Sequence, residues 1–167
     1  MISRALPFIV LAASLALPSG VQARDALGVF GQWAAFRDPE TPRCYAITAA
    51  EERQGHPAEQ EGNASVGTWP KRNVRGQVHV RMTRMLAEGS WIVLSIKGKS
   101  FTLQGGGSNA WAKDAQMDAA IVAAMRSGGA MTVTALDAKG RRFFDRYNLD
   151  GAPTALDAAT LGCSGRN

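Results

Sequence analysis

The stretch Asp118-Ala119-Ala120-Ile121-Val122-Ala123-Ala124-Met125-Arg126-Ser127-Gly128-Gly129-Ala130-Met131-Thr132-Val133 changes its hydrophobic period across a glycine pair. Before the glycines, Met117, Ile121 and Met125 fall four apart, with Val122 and Ala124 widening the stripe, so one helical face can be buried. Asp114 and Asp118 lie toward the start and Arg126 at the end, the charge order that a helix dipole favours. Gly128-Gly129 offers a residue able to end the helix in the left-handed conformation. After it, Met131, Val133 and Ala135 alternate with Thr132 and Thr134, the pattern of a half-buried strand. A helix over about 115–127 followed directly by a strand is thus expected near the middle of the fold.

The first 23 residues stand apart. Met1-Ile2-Ser3-Arg4 is a short positive segment, Ile9 to Leu17 is an apolar run of export-leader length, and Val21-Gln22-Ala23 supplies small residues for cleavage. The alternative, a membrane anchor, suffers from an apolar run too short to span comfortably. A cleavable signal peptide over 1–23 and a periplasmic or secreted protein are expected, with residues 24–167 forming a single mainly β domain large enough for a real core. No cysteine sits at the cleavage site to take a lipid. The formal charge of +5 argues only mildly for anionic neighbours. The two cysteines, Cys44 and Cys163, can pair in one way, and export favours the oxidised form over two buried free thiols.

Along the remaining chain, short strands dominate. Gly28 and Gly31 argue against a helix through Phe30, Trp33 and Phe36, so one irregular strand is expected there, then a turn at Asp38–Pro42 and a strand opening at Cys44. Residues 51–67 read as a solvated, acidic loop. Lys71, Arg72, Arg75, Arg81 and Arg84 follow in a span without any acid, within which Val78, Val80 and Met82 alternate with Gln77, His79 and Arg81. That is a strand with one face to the core and a basic face to solvent. Trp91–Ile96 suits a central strand, Lys97–Ser100 turns it into Phe101-Thr102-Leu103, and Gly105–Gly107 reads as a flexible connection. Phe143, Asp145, Tyr147 and Leu149 share a face of the last strand, and Thr154-Ala155-Leu156-Asp157 resembles a capping box opening a short C-terminal helix, about 154–162.

Ala124-Met125-Arg126-Ser127-Gly128, the strand pair after it, Tyr147-Asn148-Leu149-Asp150-Gly151, Thr154-Ala155-Leu156 and Cys163 together resemble the C-terminal half of the invasion-associated locus B family of exported alphaproteobacterial proteins. Trp33 to Phe36, ahead of Cys44-Tyr45, is similar to that family's N-terminal pattern. The resemblance covers most of the chain after the leader, through packing and turn signatures; none of its motifs is catalytic. It implies a mainly β, immunoglobulin-like β-sandwich and a periplasmic or envelope-associated protein.

Catalytic chemistry finds little support. His56 and His79 are the only histidines and stand far apart, so no metal-ligand spacing arises. There is no Gly-x-Ser-x-Gly elbow. Gly98-Lys99-Ser100 imitates the end of a phosphate loop, but Val93 stands where its first glycine is required. No cofactor is implied. The remaining candidate is an anionic-ligand patch of Lys71, Arg72, Arg75, His79, Arg81 and Arg84, with Trp69 beside it, against the plainer reading of a solvated sheet face with edge-protecting arginines. A non-enzymatic envelope module for a protein, anionic glycolipid or polysaccharide is therefore expected. A secreted hydrolase with a site scattered in sequence is the alternative, and a purely structural envelope protein shares every feature of the first reading.

Overall fold

Alternation places ten strands in a computed structural model that describes residues 24–51 and 58–164. The expected leader, residues 1–23, and His56 lie outside the described residues. Strands β1 (Asp25–Phe30), β2 (Trp33–Asp38), β3 (Arg43–Ala49), β4 (Asn63–Trp69) and β5 (Val74–Arg81) follow one another as an antiparallel meander. Then come β6 (Ile92–Ile96), β7 (Lys99–Gly106), β8 (Asn109–Trp111), helix α1 (Ala115–Met125), β9 (Ala130–Leu136), β10 (Arg142–Asn148) and helix α2 (Ala152–Cys163). All ten strands join one antiparallel sheet in the order β1-β2-β3-β4-β5-β8-β7-β6-β9-β10.

That sheet folds over at β7. Lys99–Leu103 pairs with β6, whereas Gln104–Gly106 pairs with β8. Gly105 is required at the fold: a Cβ there would lie 2.3 Å from the Asn109 carbonyl oxygen and 2.7 Å from Ile92 Cδ1. Beyond it the two ends of the sheet meet. Trp33 Nε1 donates to the Asn148 carbonyl at 2.8 Å, the Gln32 amide to Asp150 O at 3.1 Å, and the Glu51 amide to Arg146 O at 2.8 Å. The result is the mainly β, immunoglobulin-like sandwich that the sequence implied, its two layers drawn from one continuous sheet. Val66, Val78 and Val80 from one layer and Leu94, Met131 and Val133 from the other are buried in a single cluster. Fully burying each such side chain contributes about 1.5–3 kcal/mol.

Four local expectations are corrected. The single irregular strand near residue 30 is a hairpin of β1 and β2, because Gly31 (φ 54) turns the chain where a continuous strand was read. Part of the supposed acidic loop is β4: Ala64 and Val66 are buried between half-buried Asn63 and Ser65, a two-residue alternation written in small side chains. Helix α1 ends with Arg126 in the right-handed region (φ −64), not on a left-handed glycine. Gly128 instead allows close packing, since a Cβ would stand 2.6 Å from Ile96 Cγ2. Finally, α2 begins two residues before the expected box. Left-handed Gly151 (φ 82) precedes it and Pro153 lies in its first turn, while no side chain caps it.

Candidate binding groove and the basic strip

The basic span is divided by the fold into three parts. Lys71 and Arg72 lie on a one-turn 3-10 helix, Pro70–Arg72, which left-handed Asn73 (φ 53) closes. Arg75 follows on β5. All three are exposed, and none has an ion pair among the described residues. His79 and Arg81 lie further along the same strand. The His79 ring is half-buried against Trp111, with centroids 5.1 Å apart, and its Nε2 is 2.9 Å from Asn109 Oδ1. Burial pushes its pKa below the usual imidazole value, and Arg81 adds to that, while the Asn109 hydrogen bond opposes it. His79 is therefore held neutral as packing for Trp111. Arg84 belongs elsewhere: its Nη1 donates to Asp137 Oδ2 at 3.2 Å and its guanidinium lies over the Phe143 ring. Of the six candidate residues, Lys71, Arg72 and Arg75 are exposed cations within five positions of one another, and Arg81, also exposed, lies further along β5.

Beside Arg75 lies a groove of about 810 Å³ between the two helices. Each helix presents one stripe to it. From α1 come Ala119, Val122 and Ala123, with Arg126 at the helix end; from α2 come Leu156, Ala159, Thr160 and Cys163. Both sets are spaced i, i+3, i+4, i+7, the residues that share one helical face. Val66 of β4 completes the apolar lining. At one end Arg126 Nη2 donates to Asp157 Oδ1 at 2.7 Å, which holds the Asp157 carboxyl below its usual pKa and ties α1 to α2.

The other end is built around the disulfide. Cys44 of β3 is bonded to Cys163 of α2, with Cα atoms 5.8 Å apart. Cys44 pairs across the sheet with Thr68, whose Oγ1 accepts the Gly76 amide at 3.2 Å. Gly76 follows Arg75 directly, so the disulfide end of the groove is also its cationic end. A Cβ on Gly76 would meet nothing within 4 Å, which leaves that mouth open. The sequence contained both helical stripes, but nothing local in it showed that they face each other.

A larger recess of about 1080 Å³ lies between β2, β3 and β10 and includes Thr48 and Asp145. Their polar groups are engaged already. Thr48 Oγ1 donates to Gln32 O at 2.7 Å, and Asp145 accepts from the Thr83 amide at 2.8 Å and from Thr83 Oγ1. No helix among the described residues is long and apolar enough to cross a membrane.

No curated protein matches the chain. Among solved structures, the crystal structure of invasion associated protein B from Bartonella henselae is similar, with a TM-score of 0.57 at 16% sequence identity; the match covers 84% of this chain and 97% of that one. At that identity the likeness establishes a shared fold. The family model described as invasion associated locus B (IalB) protein matches residues 32–160, from the start of β2 through nearly all of α2. The chain belongs to the invasion-associated locus B family.

Proposed function

We propose that this protein is an exported, non-enzymatic binding module of the cell envelope that takes an anionic envelope component at Lys71, Arg72 and Arg75. The observation that carries this reading is Arg75 in the lining of the groove, with exposed Lys71 and Arg72 shortly before it in the chain and no ion pair to any of the three among the described residues. Unpaired surface cations attract anions over roughly a Debye length, about 8–10 Å near physiological salt. The disulfide supports an oxidising compartment. The leader reading of residues 1–23 supports export.

The test is retention on anionic envelope fractions at low salt. A variant with Lys71, Arg72 and Arg75 all exchanged for Ser should elute earlier than wild type, with the difference vanishing at high salt. Equal retention of the two proteins would remove the cationic mouth from the reading. A screen of the purified protein on peptide, ester and glycan substrates addresses the hydrolase alternative, and turnover of any of them would overturn the non-enzymatic reading.

A further inference from the structure

The groove combines two features that a plain anion site does not need: length and an apolar wall. Ala119 and Arg126 are seven residues apart on α1, as are Leu156 and Cys163 on α2, which makes each wall roughly 10 Å long. Its volume of about 810 Å³ falls within the range of about 300–1,000 Å³ typical of small-molecule sites. Charge is distributed unequally along it. Arg126 is neutralised by Asp157 at one end, whereas Arg75 at the other has no ion pair among the described residues. An apolar trough with one free cationic end among the described residues complements a molecule that is an alkyl chain terminated by one anionic group.

We propose that the α1–α2 groove binds a single-chain anionic amphiphile, a fatty carboxylate, with its chain along Val66, Val122 and Leu156 and its carboxylate at Arg75. This rests on the envelope-binding reading for the cationic mouth and adds the ligand class. The small side chains of Ala119, Ala123 and Ala159 leave room between the helices for the chain. The Arg126–Asp157 bridge sets the far limit, because a chain longer than the walls must push the two helices apart or leave the groove.

Titrate the purified, delipidated full chain calorimetrically with saturated carboxylates from hexanoate upward, each below its micelle threshold. Affinity should rise about fourfold per added methylene while each is removed from water, then level off once the roughly 10 Å trough is filled. Ala123→Trp should abolish binding by filling the groove from an exposed helix position. Ala119→Trp, on the same wall, is the second blocking variant should the first not fold. Ala120→Trp, exposed on the same helix but outside the groove, should bind like wild type. Arg75→Gln should weaken binding about tenfold by removing a charged hydrogen-bond partner. Affinity that climbs without levelling, or survives both blocking variants, overturns the proposal. If no carboxylate binds while envelope retention still depends on Lys71, Arg72 and Arg75, the groove ligand is wrong and the envelope reading stands. If carboxylates bind the groove while the triple-Ser protein is retained normally, the envelope reading falls and the groove ligand stands.

Discussion

Asp118, on the buried face of α1, accepts the backbone amide hydrogen of Val78 at 2.8 Å. Val78 lies on β5 immediately before the segment that pairs with β8, which reaches only His79, Val80 and Arg81. A helix carboxylate thus supplies the acceptor that a longer β8 would have provided, and α1 packs along β5 where the neighbouring strand stops. An unpaired buried amide is costly, so the position of α1 is tied to the sheet's hydrogen bonding as well as to its core.

The charge on Asp118 is a different matter from its oxygen. Burial raises its pKa and the nearby Asp114 adds to that, against the lowering by the Val78 hydrogen bond. A carboxyl whose folded pKa is raised binds its proton more tightly folded than unfolded. Its contribution therefore favours folding as pH falls through the raised value, and its ionised form is a cost at neutral pH. Asp118→Asn keeps the acceptor and removes the charge, so it should be neutral or stabilising at pH 7. Asp118→Ala should lose about 1–3 kcal/mol, because the Val78 amide is left unsatisfied. Urea denaturation of the two variants decides; equal losses would show that the oxygen is not what matters.

Asp137 carries the opposite sign. In the β9–β10 turn its Oδ1 accepts from the Lys139 and Arg141 amides, and its Oδ2 accepts from Arg141 Nε and Nη2 and from Arg84 Nη1. The Arg141 side chain is the largest cause holding its carboxyl far below the usual range, aided by the two amides and Arg84 and opposed by burial. Stability from this group is present above the unfolded carboxyl pKa, about 4, and is lost as pH falls below it. Asp137→Asn should be less stable than wild type at pH 7, with the two denaturation midpoints converging as pH drops toward 3. A gap that stays constant over that interval would separate the turn's stability from this ionisation.

The elements whose burial follows a simple period were legible in the sequence. Val78, Val80 and Met82 alternate into the core, as do Met131, Val133 and Ala135, and all six are buried. Cys44 and Cys163 left one pairing available, and that pairing is the one formed. Strand β4 was hidden because Gly62 and Gly67 bracket an alternation carried only by Ala64 and Val66. Gly105 looked like a flexible link because its requirement is a contact with Asn109 and Ile92, which no local pattern encodes. The basic span misled for a related reason. Arg84 has the composition of a surface cation, yet its partner Asp137 is 53 residues away in sequence. The groove shares that difficulty, since each helical stripe reads as an ordinary amphipathic face until β3, β4 and β5 place the two opposite one another.

The disulfide ties the last helix, α2, to β3 of the sheet. Cys44 is completely buried on β3, and Cys163 is the last residue of α2. α2 is anchored chiefly by Ala152, Ala155, Leu156 and Ala159, and only one of these is a large side chain. Packing of α2 against β1, β2 and β3 thus rests largely on small side chains. The cross-link spans 119 positions, and the chain-entropy model gives about 4–5 kcal/mol for closing a loop of that order. Cys163→Ser should lose several kcal/mol in urea and should be cleaved first within α2 by limited proteolysis. Because Cys163 lines the groove beside Thr68, loosening it also disturbs the cationic end of that site. Thiol titration of the unreduced native protein checks the premise directly. Two free thiols per chain, or a Cys163→Ser protein with wild-type stability and an uncut C-terminus, would show that packing alone holds α2 in place.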